Sequence, residues 1–386
     1  MKFYCLYKRY CDKQQDTGKY RELPDLSCLN KNLILDFSSN DYLNLSQNLE
    51  LVEAVREAAK LYGIGSTGSR LLSGNHILFK DLEKQIAIDK GTEAALIFNS
   101  GYQANVTILS SLLDKSVLAS QAIVFFDRLN HASLYQGVFL SGAELIRYHH
   151  NDMEHLETVM LKYKNSSRPK FIVSETLYGM DGDIAPVAHL VMLADRYKAL
   201  LYLDEAHASG ILGKDGYGVS TTIDMSHIKH VIMGTFSKGL GVYGAYIACS
   251  QIIKEFLINK CSGFIYSTSL PPMVINAVMK SWKIIKLFGQ QRCDLLEQAL
   301  YLRLQLKYLG FNIGSSDTHI IPIILGSEEA TLKAYNDLKN MGILLSAVRP
   351  PTVPPSASRL RLALTLKHTR KDIEKLLEGL NKLLVK

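Results

Sequence analysis

From about residue 94 to 249 the chain alternates short apolar runs with stretches of helical spacing, and this pattern constrains the fold more than any other feature. Seven runs read as buried strands, at 94–98, 122–126, 144–147, 170–174, 199–204, 230–235 and 244–249. Helices fill the gaps, one of them beginning near Pro186, which suits a first helical turn. A parallel strand pair needs a crossover, and a crossover helix lands on a face of the sheet. The expected class is therefore α/β, a mostly parallel sheet covered on both faces, with ligands at the carboxyl ends of its strands. Outside this block, residues 1–45 form an arm with a short helix, a loop around Pro24 and a short strand at 33–37. A helix is expected at 51–61, and the glycine- and serine-rich loop Gly63 to Asn75 reads equally as a connection or as backbone passing close to a ligand. Beyond Pro272 a long helical region runs to about Tyr308. Apolar runs at 320–325, 344–348 and 360–364, with helices between and after them, imply a smaller α+β domain. The expected division is an arm (1–45), a large domain (46–285) and a small C-terminal domain (286–386).

Composition excludes several classes of function. A net charge of +7 comes from scattered lysines and arginines, without the basic stripe that nucleic-acid binding needs. The six cysteines show no CxxC pair and no zinc-like spacing with histidine, so reduced thiols and no metal site are expected. The N-terminus interrupts its apolar residues with charge too early for a signal peptide, and no run approaches membrane-spanning length. The expected location is the cytoplasm.

Chemistry-bearing residues recur at the strand ends. Lys238, in TFSKGLG after the run 230–235, leaves the sheet among Thr235, Ser237 and two glycines, where an amine can be held against a bound ring and hydroxyls can meet an anion. Alone it reads more readily as a solvated surface charge. Asp204 ends the run 199–204, and an acidic group there is costly unless a cation meets it; a pyridinium nitrogen would serve. A helix cap or a metal ligand is the plainer alternative. His207 is three residues on and could reach the phenolic oxygen of such a ring. His131, in LNHAS, can stack on a flat ring or take a proton, or it can simply begin a helix. Gly101 and Tyr102 lie between a strand and a helix, where free backbone N–H groups bind phosphate or an ordinary cap forms. Together these groups point to pyridoxal phosphate.

The segments SNDYLNL, GSTGSRLLSGN, LNHAS, MDGD (180–183), DEAH and TFSKGLG, in this order, resemble the α-oxoamine synthases from about Arg21 to Leu380. The resemblance implies a fold-type I, aspartate aminotransferase-like architecture, pyridoxal 5′-phosphate as cofactor, decarboxylating acyl transfer to an amino acid, and a homodimer. It implies that Lys238 holds the cofactor, Asp204 faces its nitrogen and His131 stacks on its ring, these three being the catalytic set. Gly101 and Tyr102 would give amides to the phosphate, His207 and Thr235 would also touch the cofactor, and Ser267 and Thr268 would reach the phosphate of the neighbouring subunit. Asn40 and Arg361 would hold the amino-acid carboxylate, with His131 beside the substrate, and Arg21 and Thr352 would help to place the acyl group. Segments 265–272 and 349–365 resemble the branch that serves biotin biosynthesis. That branch implies L-alanine and a pimeloyl thioester, on coenzyme A or an acyl carrier protein, as substrates.

The chain departs from the family pattern at two positions. Gly179 stands where the family usually has serine, which removes an expected cofactor hydroxyl, and Phe79 stands at the usual histidine of the HxxLE motif. The arm is also shorter than in some relatives. Other readings are a sister enzyme that uses glycine or serine with a different acyl thioester, or a non-catalytic binding subunit. A dinucleotide loop at Gly239-Leu240-Gly241 fails, because no full GxGxxG opens a helix and no acidic residue follows at the right distance.

Overall fold

The computed structural model describes residues 2–17, 20, 21, 23 and 34–384. The expected loop around Pro24, Cys28, and Leu33 of the first expected strand lie outside these residues. The chain divides into two compact units, one of residues 40–179 and 184–293, the other of residues 1–39, 180–183 and 294–386. The N-terminal helix is Lys2–Asp16, and the first strand, β1, is Leu35–Asp36. Among the described residues no helix is long and apolar enough to cross a membrane.

The larger unit is built on a seven-stranded sheet. Its strands are β2 (Ala94–Phe98), β3 (Ile123–Asp127), β4 (Glu144–Tyr148), β5 (Lys170–Glu175), β6 (Leu200–Asp204), β7 (His230–Thr235) and β8 (Ala245–Cys249), in the order β2-β8-β7-β6-β5-β3-β4. Every residue of β2, β3 and β8 is buried, the continuous apolar run expected of strands covered on both faces. All neighbouring pairs from β7 to β4 are parallel, but β8 runs antiparallel to both β7 and β2. The connection 236–244 explains this: it is too short for a crossover helix, so the chain must turn straight back.

One face of the sheet is covered by the helices Gly101–Leu112 and Ala132–Ser141, whose Ile108, Leu109, Leu134 and Val138 join Leu96, Val124 and Phe126 in one core. Full burial of each such leucine or phenylalanine contributes about 1.5–3 kcal/mol. The two helices approach closely at Gly137, where a Cβ would lie 2.7 Å from the Asn105 carbonyl oxygen. The helix near Pro186 is Val187–Arg196, and the helix expected at 51–61 is Leu49–Tyr62, capped by the Asn48 side chain. The helical region beyond Pro272 is not continuous. It is two helices, Pro272–Leu287 and Gly289–Tyr308, broken at Phe288.

The smaller unit holds β9 (Ile320–Gly326), β10 (Ile343–Leu344), β11 (Ser346–Val348) and β12 (Ser358–Ala363). β11, β12 and β9 form an antiparallel sheet, while β10 pairs in parallel with β1. The single run expected at 344–348 is thus two strands, because the chain changes pairing partner at Leu345.

Candidate active site

The carboxyl ends of β5, β6 and β7 open into a cavity of about 230 Å³ within the larger unit. Its lining brings together eight residues singled out from sequence: Gly101, Tyr102, His131, Asp204, His207, Thr235, Ser237 and Lys238. Most are delivered by the end of an element, and His207 and Lys238 by the loops that follow β6 and β7. Asp204 and Thr235 are the last residues of β6 and β7. His131 caps the helix Ala132–Ser141, and Gly101 begins the helix Gly101–Leu112.

At the floor, Asp204 is 4 % exposed. Its Oδ1 accepts from the Ala206 N–H at 2.8 Å and its Oδ2 from Asn105 Nδ2 at 2.7 Å. Asn105 is itself oriented by the Tyr202 hydroxyl, which donates to its Oδ1 at 2.8 Å, and Asn105 Nδ2 also donates to Ser133 Oγ at 2.9 Å. The Ser133 hydroxyl is then free to donate to His131 Nδ1, 2.7 Å away. Burial foremost, and the Lys238 charge as well, lower the His131 pKa against the pull of Asp204, so the imidazole is neutral at neutral pH. Glu175 stands beside Asp204 in register, and its Oε1 accepts from the His131 N–H at 2.6 Å. Burial first, then the neighbouring Asp204 carboxylate, raise the Glu175 pKa well above the usual carboxylate range.

On the opposite wall, Lys238 Nζ lies 2.7 Å from His207 Nε2, and His207 Nδ1 lies 2.7 Å from the Tyr42 hydroxyl. Tyr42 also donates to Asn40 Oδ1 at 3.1 Å, which ties Asn40 to this wall. At the third side the helix Gly101–Leu112 presents its first turn, with Ser100 Oγ accepting from the Gln103 N–H. The first N–H groups of a helix have no intrahelical acceptor, so those of Gly101 and Tyr102 are directed outward from the helix end. Thr235 and Ser237 share a 2.8 Å hydroxyl contact nearby.

Ser267 and Thr268 do not line this cavity. Asn99 Nδ2 donates to Ser267 Oγ at 3.0 Å and to the Thr268 carbonyl at 2.7 Å, and Gln103 Nε2 donates to Ser267 Oγ at 2.9 Å. Arg21, Thr352 and Arg361 belong to the smaller unit. There Arg21 Nη2 donates to Thr352 Oγ1 at 3.2 Å, and both line a cavity of about 460 Å³ with Tyr20, Tyr335 and Arg349. Arg361 lies on β12, is 4 % exposed, and its charge bears on His319.

Both departures have a structural account. Phe79 is buried, and its ring carries the Arg70 guanidinium at 4.1 Å while Arg70 Nη1 pairs with Glu83 at 2.6 Å. Gly179 faces His207: a Cβ there would lie 2.1 Å from Nε2. The Gly63 to Asn75 loop closes on Ser269, whose hydroxyl donates to the Gly74 carbonyl at 2.8 Å. Sequence reasoning missed Glu175, Asn105, Ser133 and Tyr42. The argument that found Asp204, an acid at the end of a buried strand, also finds Glu175 once its strand is extended by one residue. Asn105 and Ser133 lie inside helices and leave no local signal.

The cavity fits pyridoxal phosphate. A buried carboxylate with one donor on each oxygen retains lone pairs for a pyridinium N–H. A neutral imidazole offers a flat apolar face, a helix start offers amides to phosphate, and a lysine amine stands opposite. Fold and site together define a fold-type I pyridoxal phosphate transferase. Residues 33–380 match the family described as aminotransferase class I and II. A protein of Magnetococcus marinus described as "Putative 8-amino-7-oxononanoate synthase" is 41 % identical over 373 residues, covering 95 % of this chain and 94 % of its own. A solved structure of SPT with PLP internal aldimine is 29 % identical with a TM-score of 0.84, covering 91 % of this chain and 87 % of its own. The crystal structure of 8-amino-7-oxononanoate synthase from Francisella tularensis is 27 % identical with a TM-score of 0.79, covering 92 % and 99 %. The chain belongs to the class I and II aminotransferase family, on its α-oxoamine synthase branch, whose members are pyridoxal phosphate-dependent enzymes that transfer acyl groups to carbon.

Proposed function

We propose that the protein joins L-alanine to a pimeloyl thioester, releasing carbon dioxide and the thiol of coenzyme A or of an acyl carrier protein, to give 8-amino-7-oxononanoate for biotin biosynthesis. The observation that carries the reading is the convergence of Lys238, His131 and Asp204 on one cavity. The choice of alanine and a pimeloyl group draws on the relatives of that name.

Bound pyridoxal phosphate would supply an electron sink for the charge left on the amino acid's α-carbon. The roles of this chain's residues follow from their chemistry. Lys238 would hold the cofactor and, when its amine is free, take the α-proton. Asp204 would keep the ring nitrogen protonated. His131 would stack on the ring and border the substrate. The Gly101 and Tyr102 amides would bind the phosphate, with Thr235 and His207 fixing the ring's edge. Asn40 is assigned the amino-acid carboxylate, and the roles implied for Arg361, Arg21 and Thr352 are part of the same proposal. So is a cytoplasmic homodimer, in which Ser267 and Thr268 would meet the neighbouring subunit's phosphate.

The test is to load the protein with pyridoxal phosphate, offer L-alanine, glycine or L-serine with pimeloyl-coenzyme A, and identify the product by mass. The expected product is 8-amino-7-oxononanoate from alanine alone, with Lys238→Ala slower by several orders of magnitude. A glycine or serine product would instead assign a sister activity, and no cofactor absorption band on loading would leave only the fold.

A further inference from the structure

Asn40, Tyr42, His207 and Lys238 form a hydrogen-bonded chain whose direction is set by its two ends. The successive separations are 3.1 Å from Asn40 Oδ1 to the Tyr42 hydroxyl, 2.7 Å from that hydroxyl to His207 Nδ1, and 2.7 Å from His207 Nε2 to Lys238 Nζ. An amide oxygen only accepts, so the Tyr42 hydroxyl donates to Asn40. The Tyr42 oxygen is then the acceptor, and His207 Nδ1 carries the imidazole hydrogen. An ammonium only donates, so the charged Lys238 amine donates to the Nε2 lone pair. Both ends demand the same tautomer. Tyr42 is fully buried and His207 is 8 % exposed, so these bonds face little competition from water.

The ring can stand there only because residue 179 is glycine. A Cβ at 179 would lie 2.1 Å from His207 Nε2 and 2.6 Å from Cδ2, separations that side chains do not tolerate. Retreat of the ring would break its bond to Tyr42 or to Lys238. The missing serine hydroxyl is therefore matched by a different arrangement, in which His207 takes the space at 179 and is held from its far side.

We propose that Tyr42 and Gly179 are positioning residues for Lys238: Tyr42 sets the Nδ1-protonated tautomer of His207, and Gly179 leaves the space from which Nε2 faces the lysine amine. This rests on the reading of Lys238 as the reacting lysine. It adds a link to Asn40, since the amide assigned to the substrate carboxylate also orients the Tyr42 hydroxyl.

Two measurements on the full-length protein test it. The first is the ¹⁵N spectrum of histidine-labelled, cofactor-free protein, with the His207 signals identified by their loss in His207→Gln. His207 should appear with Nδ1 protonated, and Tyr42→Phe and Gly179→Ala should each move it toward the other tautomer. The second is exchange of the L-alanine α-hydrogen with deuterated water by the loaded enzyme, which needs no acyl thioester. Tyr42→Phe should slow the maximal rate of this exchange about tenfold, less than the roughly 10²–10⁴-fold of a residue that transfers the proton itself because Tyr42 acts through His207, with a smaller change in the KM for alanine. An Nε2-protonated His207 in the unaltered protein, or a Tyr42→Phe protein with unchanged tautomer and exchange, would overturn the proposal. If no amino acid exchanges at all, the functional reading fails, and the tautomer measurement alone decides this one.

Discussion

Asp204 carries the most consequence of any single side chain in the cavity, because it is buried yet each of its oxygens accepts from a donor fixed by the fold. Replacing it with asparagine keeps the shape and an acceptor for Ala206 N–H, but removes the charge that would hold a ring nitrogen protonated. Asp204→Asn should lower kcat by roughly 10²-fold or more, the scale of a preorganised electrostatic contact, while the folded state survives. Steady-state kinetics on the loaded enzyme check this, and a kcat within threefold of the unaltered protein would remove Asp204 from the catalytic set. Asp204 and Lys238 were legible in the sequence because each is a chemical anomaly at the end of an apolar run. Asn105, Ser133 and Tyr42 were not, since each joins the site through at least one partner 28 to 165 residues away that only the fold brings near.

At the scale of elements, the segment after β6 is anchored from below. Glu205 forms a fully buried ion pair with Lys90, the last residue of the helix Ile77–Lys90. Lys90 Nζ also donates to the Tyr217 carbonyl and to Ser220 Oγ, each at 2.7 Å, while Glu205 Oε1 accepts from the Ser220 N–H at 2.7 Å. A pair so buried adds little net stability over an apolar replacement of both partners, but removing one strands the other's charge. Lys90→Met should therefore cost about 3–5 kcal/mol, and Lys90→Met with Glu205→Gln should recover part of it. Urea unfolding curves give both values, and a single-variant loss below about 1 kcal/mol would show that Glu205 is not held as described. The central strands of the large sheet were readable because a strand covered on both faces is apolar along nearly its whole length, whereas β4, half-buried and carrying Glu144 and Arg147, shows only a short apolar core. The reversal at β8, the break at Phe288 and the change of partner at Leu345 were not, because connection length and pairing decide them rather than composition.

For the whole molecule, acid sensitivity follows from His319. It is fully buried, and burial first, then the charges of Arg361 and Arg303, bring its pKa down to about 3. Between about pH 6.5 and that value the unfolded chain binds a proton that the folded chain refuses. The stability this group contributes is therefore fully present above pH 6.5 and declines as pH falls, by about 2 kcal/mol at pH 5. Urea midpoints measured from pH 7 to pH 5 should fall more steeply for the unaltered protein than for His319→Gln. Parallel pH profiles for the two proteins would exclude His319 as a source of the slope.

The pairing of β1 with β10 has a further meaning in time. Leu35 finds its partner in Ile343, which the ribosome adds some three hundred residues later. The larger unit, drawn from residues 40–179 and 184–293, is synthesised in full while β1 still lacks its neighbour. The earliest strand to emerge is thus among the last to be paired, and the nascent chain must carry it through most of translation before the smaller unit can close around it.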